Sequence, residues 1–278
     1  MSKLFLLLLM TSATISAHAA QVDTVDIFSA SMHKSIRCIV IRPDDYRFTG
    51  ERYPVLYLLH GWSGNYGGWL TEAPQLRRHA DRFQMLIVCP DGGYDSWYVD
   101  SPVDSTVRYE THISKEVVQF VDYYYYTRQE PSGRAIAGLS MGGHGAMSLA
   151  IRHPEVFGAA GSMAGGLDLR AWKKNNWDLK GVLGDPELFW SNWEEFSVVN
   201  LIPRLKSLKM PLIIDCGTGD FFVEGNREMH RRLLEAAYPH EYTERPGEHN
   251  GAYWGNAVDY QVLFFVKFFE SSKKAGKG

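Results

Sequence analysis

Residues 134–145 read Arg134-Ala135-Ile136-Ala137-Gly138-Leu139-Ser140-Met141-Gly142-Gly143-His144-Gly145. Arg134 to Leu139 is a short apolar run, the pattern of a buried strand. Beyond Met141 the apolar residues Ala146, Leu149 and Ala150 recur at helical steps until Pro154 closes the segment. Ser140 therefore stands on a strand-to-helix turn. Glycine at 138 and 142 removes side chains that would collide in so tight a turn, and Gly143 and Gly145 thin the start of the helix. The five residues 138–142 match G-x-S-x-G, the elbow that presents a nucleophilic serine at the end of a sheet. The pentapeptide alone is common; the strand before it and the helix after it single out Ser140 as the nucleophile.

Outward from this turn the chain alternates strand and helix. Residues 36–42, Tyr53 to Leu59, Met85 to Cys89, Phe157 to Met163, Leu212 to Cys216 and Glu241 to Arg245 read as further strands, bounded by Gly and Pro. Ile113, Val117, Phe120, Val121 and Tyr124 share one helical face, and 226–237 and 254–270 are helical by pattern. This alternation predicts an α/β fold with a mostly parallel central sheet covered by helices on both faces, in one domain over residues 20–278. Residues 166–207 break the pattern: Trp172, Trp177, Trp190 and Trp193 stand among Gly, Asn and Pro. The segment reads as a cap-like excursion lining a substrate cleft, with ordinary packing of surface helices as the alternative. If exposed, Trp177 and Trp190 are candidates to stack on the faces of sugar rings.

A serine hydroxyl is a weak nucleophile at neutral pH; it needs a histidine base, and the histidine needs a carboxylate to orient it. In this kind of sheet the order along the chain is Ser, acid, His, at the carboxyl ends of strands. Asp220, in Cys216-Gly217-Thr218-Gly219-Asp220, sits on a Gly-rich loop directly after a buried strand; its rival Asp215 lies inside that strand. His249, in Pro246-Gly247-Glu248-His249-Asn250-Gly251, follows the acid in a loop between the last strand and the last helix. His240 belongs to the opposite edge, His230 to a helix surface and His144 to the packing of the nucleophile helix. The developing oxyanion needs preorganised donors. The expected donors are the backbone amides of Met141, next after the nucleophile, and of Trp62, in the loop Gly61-Trp62-Ser63-Gly64-Asn65. This chemistry calls for no metal and no organic cofactor.

Hydrophobic residues make up 45% of the 278, enough for a full core. The net charge of −3 gives no hint of a nucleic-acid partner, and the basic run Lys273, Lys274 and Lys277 reads as a solvated tail. Residues 1–19 carry Lys3, an apolar run from Leu4 to Met10 and small residues at Ala17 and Ala19, the features of a cleaved signal peptide. The run is too short to span a bilayer core of roughly 30 Å. A secreted or periplasmic protein with no stable membrane span is expected. The three cysteines Cys38, Cys89 and Cys216 lie in apolar runs and read as buried free thiols, with a single disulfide as the alternative.

Taken together, Leu58-Leu59-His60-Gly61, Pro90-Asp91-Gly92, Ser96-Trp97-Tyr98, Gly138 to Gly143, Gly217-Thr218-Gly219-Asp220 and Gly247-Glu248-His249 resemble the esterase D-like group of α/β-hydrolases. That group includes tributyrin-type esterases, S-formylglutathione hydrolases, family 1 carbohydrate esterases and mycolyl transferases, and the resemblance covers about residues 25–270. It implies the α/β-hydrolase fold, a triad of Ser140, Asp220 and His249, oxyanion amides from Trp62 and Met141, and a cleft lined by Trp97 and Tyr98. It departs from the group at Glu248, where glycine often precedes the base. The oxyanion loop also lacks the cysteine of the S-formylglutathione branch. Secretion and an aromatic cleft then point to a carboxylesterase acting on acetyl or feruloyl esters of carbohydrate. A small acyl ester or an esterified polysaccharide is the partner. An acyltransferase with the same triad and a thioesterase of the S-formylglutathione hydrolase type are the alternatives.

Overall fold

The computed structural model of the protein describes residues 20–174 and 177–275. The leader expected over residues 1–19 and Lys277 of the basic tail lie outside the described residues. Among those described, eight strands form one sheet: β1 (Gln21–Ser29), β2 (Lys34–Arg42), β3 (Val55–Leu59), β4 (Leu86–Pro90), β5 (Arg134–Leu139), β6 (Ala159–Met163), β7 (Leu212–Gly217) and β8 (Glu241–Arg245). Their spatial order is β1-β2-β4-β3-β5-β6-β7-β8. The pairs β1–β2 and β2–β4 are antiparallel and every other pair is parallel.

Between β3 and β4 run α1 (Gly68–Glu72) and α2 (Leu76–Phe83). Before β5, α3 (Tyr109–Thr111) continues through a π-helical turn, His112–Val117, into α4 (Val118–Tyr124). The elbow leads into α5 (Met141–Arg152). The segment before β7 carries α6 (Leu179–Leu183), α7 (Trp190–Phe196) and α8 (Ile202–Leu205). Then α9 (Val223–Glu235) joins β7 to β8, and α10 (Gly251–Ala275) follows β8.

An uninterrupted apolar strand is stable only where both faces of its sheet are covered, because successive side chains point opposite ways. In β3, Val55, Tyr57 and Leu59 enter one core and Leu56 and Leu58 the other. β4 divides in the same way, with Leu86 and Val88 against Ile87 and Cys89. The first core is closed by Val118 and Val121 of α4, Ala146 and Leu149 of α5, and Met229 and Leu233 of α9. Trp69 of α1, Leu76 and Ala80 of α2, and Val258, Val262 and Phe265 of α10 close the second. The expected α/β architecture is confirmed.

Three elements were not anticipated. β1 lacks a clean alternation, since Val22 packs on one face of the sheet and Val25 and Ile27 on the other. The short helices α1 and α2 carry few apolar residues. Residues 166–207 contribute Leu167, Leu179, Leu183, Trp193 and Phe196 to the first core. They are tied to the rest of the chain by the Ser101 hydroxyl donating to Val182 O at 2.6 Å.

Cys38, Cys89 and Cys216 are buried and free. Cys38 and Cys89 stand on neighbouring strands but face different cores, so a bridge between them would require turning a strand over. Burial pushes all three thiols up, which keeps them unreactive. Among the described residues no helix is long and apolar enough to cross a membrane.

The chain passes from β3 to β4 on one side and from β4 to β5 on the other, so the strand order reverses between β3 and β5. Ligands in open α/β sheets bind outside the carboxyl ends of the strands at such a point. The loops after β3, β5, β7 and β8 all open at that edge.

Candidate active site

Ser140 follows β5 directly with φ 55° and ψ −119°, a left-handed backbone that a non-glycine residue adopts only under constraint. The constraint is close packing of the elbow on the end of β3. A side chain at Gly142 would overlap Leu59 O and come within 2.6 Å of His60 O, and one at Gly138 would overlap the Gly142 carbonyl. The Ser140 amide donates to Met163 O at 3.0 Å, which ties the turn to β6.

The loops after β7 and β8 are joined to each other. The Thr218 amide donates to Arg245 O and the Gly219 amide to Gly247 O, both at 2.9 Å. A Cβ at Gly217 would lie 2.5 Å from Gly247 O, so the approach depends on glycine. This places Asp220 beside His249. The imidazole Nδ1–H donates to Asp220 Oδ2 at 2.7 Å, and the Ser140 hydroxyl donates to Nε2 at 2.9 Å. The second oxygen of Asp220 accepts the Phe222 amide at 2.8 Å. With the carboxylate holding the proton on Nδ1, the free lone pair of Nε2 faces the serine. Asp215 is elsewhere: buried in β7, it is paired with Arg245 and accepts from the Tyr253 hydroxyl.

Met141 is the first residue of α5, where an N–H has no acceptor within the helix. Neither its amide nor that of Trp62 has a hydrogen-bond acceptor among the described residues. The loop carrying Trp62 is held by His60. Nε2 of His60 accepts the Gly92 amide at 2.8 Å, so the ring proton is on Nδ1 and is directed at Gly61 O, also at 2.8 Å. The Ser63 amide donates to Tyr94 O at 2.7 Å.

A cleft of about 420 Å³ opens over Ser140. Trp62, Trp97 and Trp177 line it, as do three residues that sequence reasoning missed, Phe221, Phe222 and Trp254. Phe221 and Phe222 follow Asp220 directly and Trp254 lies one turn beyond His249, so their positions in the chain were the available signal. Their rings surround the imidazole, with Phe221 at 4.2 Å and Trp254 at 4.9 Å between centroids. Two expected lining residues are not brought to the cleft. Tyr98 is buried behind it, its hydroxyl donating to His60 O at 2.9 Å and its ring filling the space left by Gly92 and Gly145. Trp190 is 39% exposed at the surface outside the cleft, with the Lys173 ammonium over its ring.

His144 is buried between the Trp97 loop and residues 166–207. Nε2–H donates to Phe196 O at 2.8 Å, while Nδ1 stands 3.1 Å from Trp97 O. A neutral ring has one N–H and serves one carbonyl; burial, which disfavours the charged form, holds the imidazole down to about 4. The unfolded chain then binds a proton that the folded protein refuses between pH 6.5 and 4. Stability from this group is present above pH 6.5 and is lost as the pH falls through that window, by about 3 kcal/mol in all. Urea unfolding at pH 7 and pH 4.5 should show a drop larger in the wild type than in His144→Gln, and equal drops would refute this.

The "Putative esterase" family model matches residues 29–265. The chain is similar to Esterase MT1326 of Mycobacterium tuberculosis (strain CDC 1551 / Oshkosh), 33% identical over 238 residues that cover 76% of this chain and 51% of that protein. It thus spans about half the length of that relative. It is also similar to an acetyl esterase of Caldicellulosiruptor saccharolyticus, 25% identical over 253 residues, 84% of this chain and 94% of that protein. A solved ferulic acid esterase, 27% identical, has a TM-score of 0.76 over 90% of this chain and 98% of its own.

Proposed function

The chain belongs to this esterase family, and from that premise we propose that it is a serine carboxylesterase in which Ser140, His249 and Asp220 carry acyl transfer. The observation behind this reading is the unbroken hydrogen-bonded series from Ser140 Oγ through His249 to Asp220 at the floor of a cleft. His249 Nε2 takes the hydroxyl proton as Ser140 Oγ attacks the ester carbonyl. The resulting oxyanion lies against the amides of Trp62 and Met141, and the imidazolium is stabilised by Asp220. His249 then gives its proton to the departing alcohol oxygen, which leaves an acyl group on Ser140. Water, deprotonated by the same nitrogen, releases the acid and restores the serine.

The substrate we propose is an acetyl or feruloyl ester on carbohydrate. The names of an acetyl esterase and a ferulic acid esterase among the relatives support this, as does the aromatic lining of Trp97 and Trp177, which suits a flat or apolar acyl group. Residues 166–207 act as the cap, with Trp177 as their contribution to the cleft. The leader over residues 1–19 directs the enzyme out of the cytoplasm, to the side of the membrane where polysaccharide esters lie.

A panel of p-nitrophenyl acetate, butyrate and octanoate, methyl ferulate and acetylated xylan tests the reading. Release of acetate or ferulate from the natural-type esters is expected. Turnover of the synthetic esters alone would leave an esterase and sink the carbohydrate assignment. Trp177→Ala should lower activity on acetylated xylan relative to p-nitrophenyl acetate by roughly fivefold, the loss of one aromatic contact. Trp190→Ala, outside the cleft, should leave the ratio unchanged; equal ratios in both variants would remove Trp177 from substrate binding.

A further inference from the structure

Two residues that line the cleft each carry a buried side-chain atom with no hydrogen-bond partner among the described residues: Glu72 Oε2 and Trp254 Nε1. Their neighbours are satisfied. The indole N–H groups of Trp62, Trp69 and Trp97 donate to Asp178 Oδ2, Leu59 O and Trp177 O at 3.1, 3.2 and 3.1 Å. A buried polar atom left unpaired costs roughly 1–3 kcal/mol, so two of them on one cleft require an explanation.

Glu72 ends α1 and Trp254 lies in the first turn of α10, and these helix ends meet. A Cβ at Gly255 would come within 2.5 Å of Glu72 O, and one at Gly251 within 3.7 Å of Glu72 Cγ. The Trp254 ring also stands edge-on to His249, at 4.9 Å and 89°. On the proposed mechanism His249 Nε2 delivers the proton to the departing alcohol, so the residues packed against that imidazole flank the alcohol half of the ester. Burial pushes the Glu72 carboxyl up, offset in part by His60, as expected of a group largely removed from water.

The pair is chemically complementary. An indole N–H can only donate, and an ionised carboxylate can only accept. A ligand hydroxyl does both. An ammonium group would serve Glu72 and leave Trp254 unpaired; a carboxylate would do the reverse. We infer that Glu72 and Trp254 form a hydroxyl-binding subsite for the alcohol portion of the ester, and that they set a preference for esters of polyhydroxy alcohols over simple alkyl esters. The inference rests on the esterase reading above and extends it to residues outside the triad and the oxyanion amides.

The test compares glycerol monoacetate, propyl acetate and acetylcholine, which share an acyl group, by titrating released acid with wild type, Glu72→Ala, Glu72→Gln and Trp254→Phe. Circular dichroism and urea unfolding report folding. Glu72→Gln and Trp254→Phe keep the shape of the site and carry the test should the alanine variant not fold. The wild type should favour glycerol monoacetate over propyl acetate in kcat/KM by about tenfold, the worth of one charge-assisted hydrogen bond. Glu72→Ala should abolish that preference, chiefly through KM, and Trp254→Phe should reduce it. A ratio unchanged in both variants, with the wild type active, overturns the subsite and leaves the esterase standing. A preference for acetylcholine that Glu72→Ala removes and Trp254→Phe does not also overturns it, in favour of a cation site. Failure of the wild type to hydrolyse any ester removes the esterase reading and the subsite together.

Discussion

Ser140→Ala should lower kcat/KM for p-nitrophenyl acetate by four to six orders of magnitude while leaving the fold intact. Alanine keeps the Cβ and removes only Oγ, so the elbow keeps its backbone at φ 55° and its tie to Met163 O. His249 then has no proton to accept and the carbonyl has no nucleophile. What remains is the contribution of the oxyanion amides and substrate positioning, roughly 10³-fold over water. Urea unfolding of the variant should match the wild type within about 1 kcal/mol, as expected for loss of one hydroxyl hydrogen bond. Near-wild-type turnover by a folded Ser140→Ala protein would refute the nucleophile assignment outright.

Gly142→Ala should have the largest effect on stability. The added methyl group would meet Leu59 O and, at 2.6 Å, both Leu59 C and His60 O. All of these are backbone atoms at the end of β3, and no rotamer change can move them aside. α5 would have to lift from the sheet, at a cost of about 3–5 kcal/mol, in the range of the most disruptive core substitutions. Any folded fraction should also be inactive, because the Met141 amide moves with the helix. Gly181→Ala is the control: nothing lies within 4 Å of the added atom, and alanine favours the helix by roughly 0.5–1 kcal/mol. Comparable urea midpoints for the two variants would show that the elbow does not need its glycine.

Ser140, Asp220 and His249 stand out in the chain because each sits in a short loop whose glycines are there for local reasons: a positive φ, or the close approach of a second backbone. Such reasons leave marks within five or six residues. The parallel strands were equally legible, since burial on both faces demands an unbroken apolar run. β1 left no such mark, because this edge strand is only half-buried, with Asp26 exposed and Asp23 held by Arg42 and the Tyr125 hydroxyl where an apolar residue would complete the pattern. The cleft lining was the least legible. Trp97 and Tyr98 are adjacent in sequence, yet one faces the cleft and the other fills the space behind it. Which of two neighbours does so depends on φ values of 52° and 58°, set by contacts with Gly92 and Gly145. Glu72 and Trp254 come to one cleft only because α1 and α10 meet, across 182 residues of chain.

The join between the loops after β7 and β8 bears on how long the enzyme would keep working. β8 lies at the margin of the sheet, is paired on one side only, and has no fully buried residue. Segments of this kind open locally at a small fraction of the global unfolding free energy. If β8 detaches, His249 goes with it and Asp220 loses its partner, while the two cores built on β3, β4 and β5 stay closed. Heat inactivation would then begin as fraying at one margin, reversible on cooling, and would precede loss of the bulk secondary structure. Reinforcing that margin would lengthen working life more than further filling of cores that are already full.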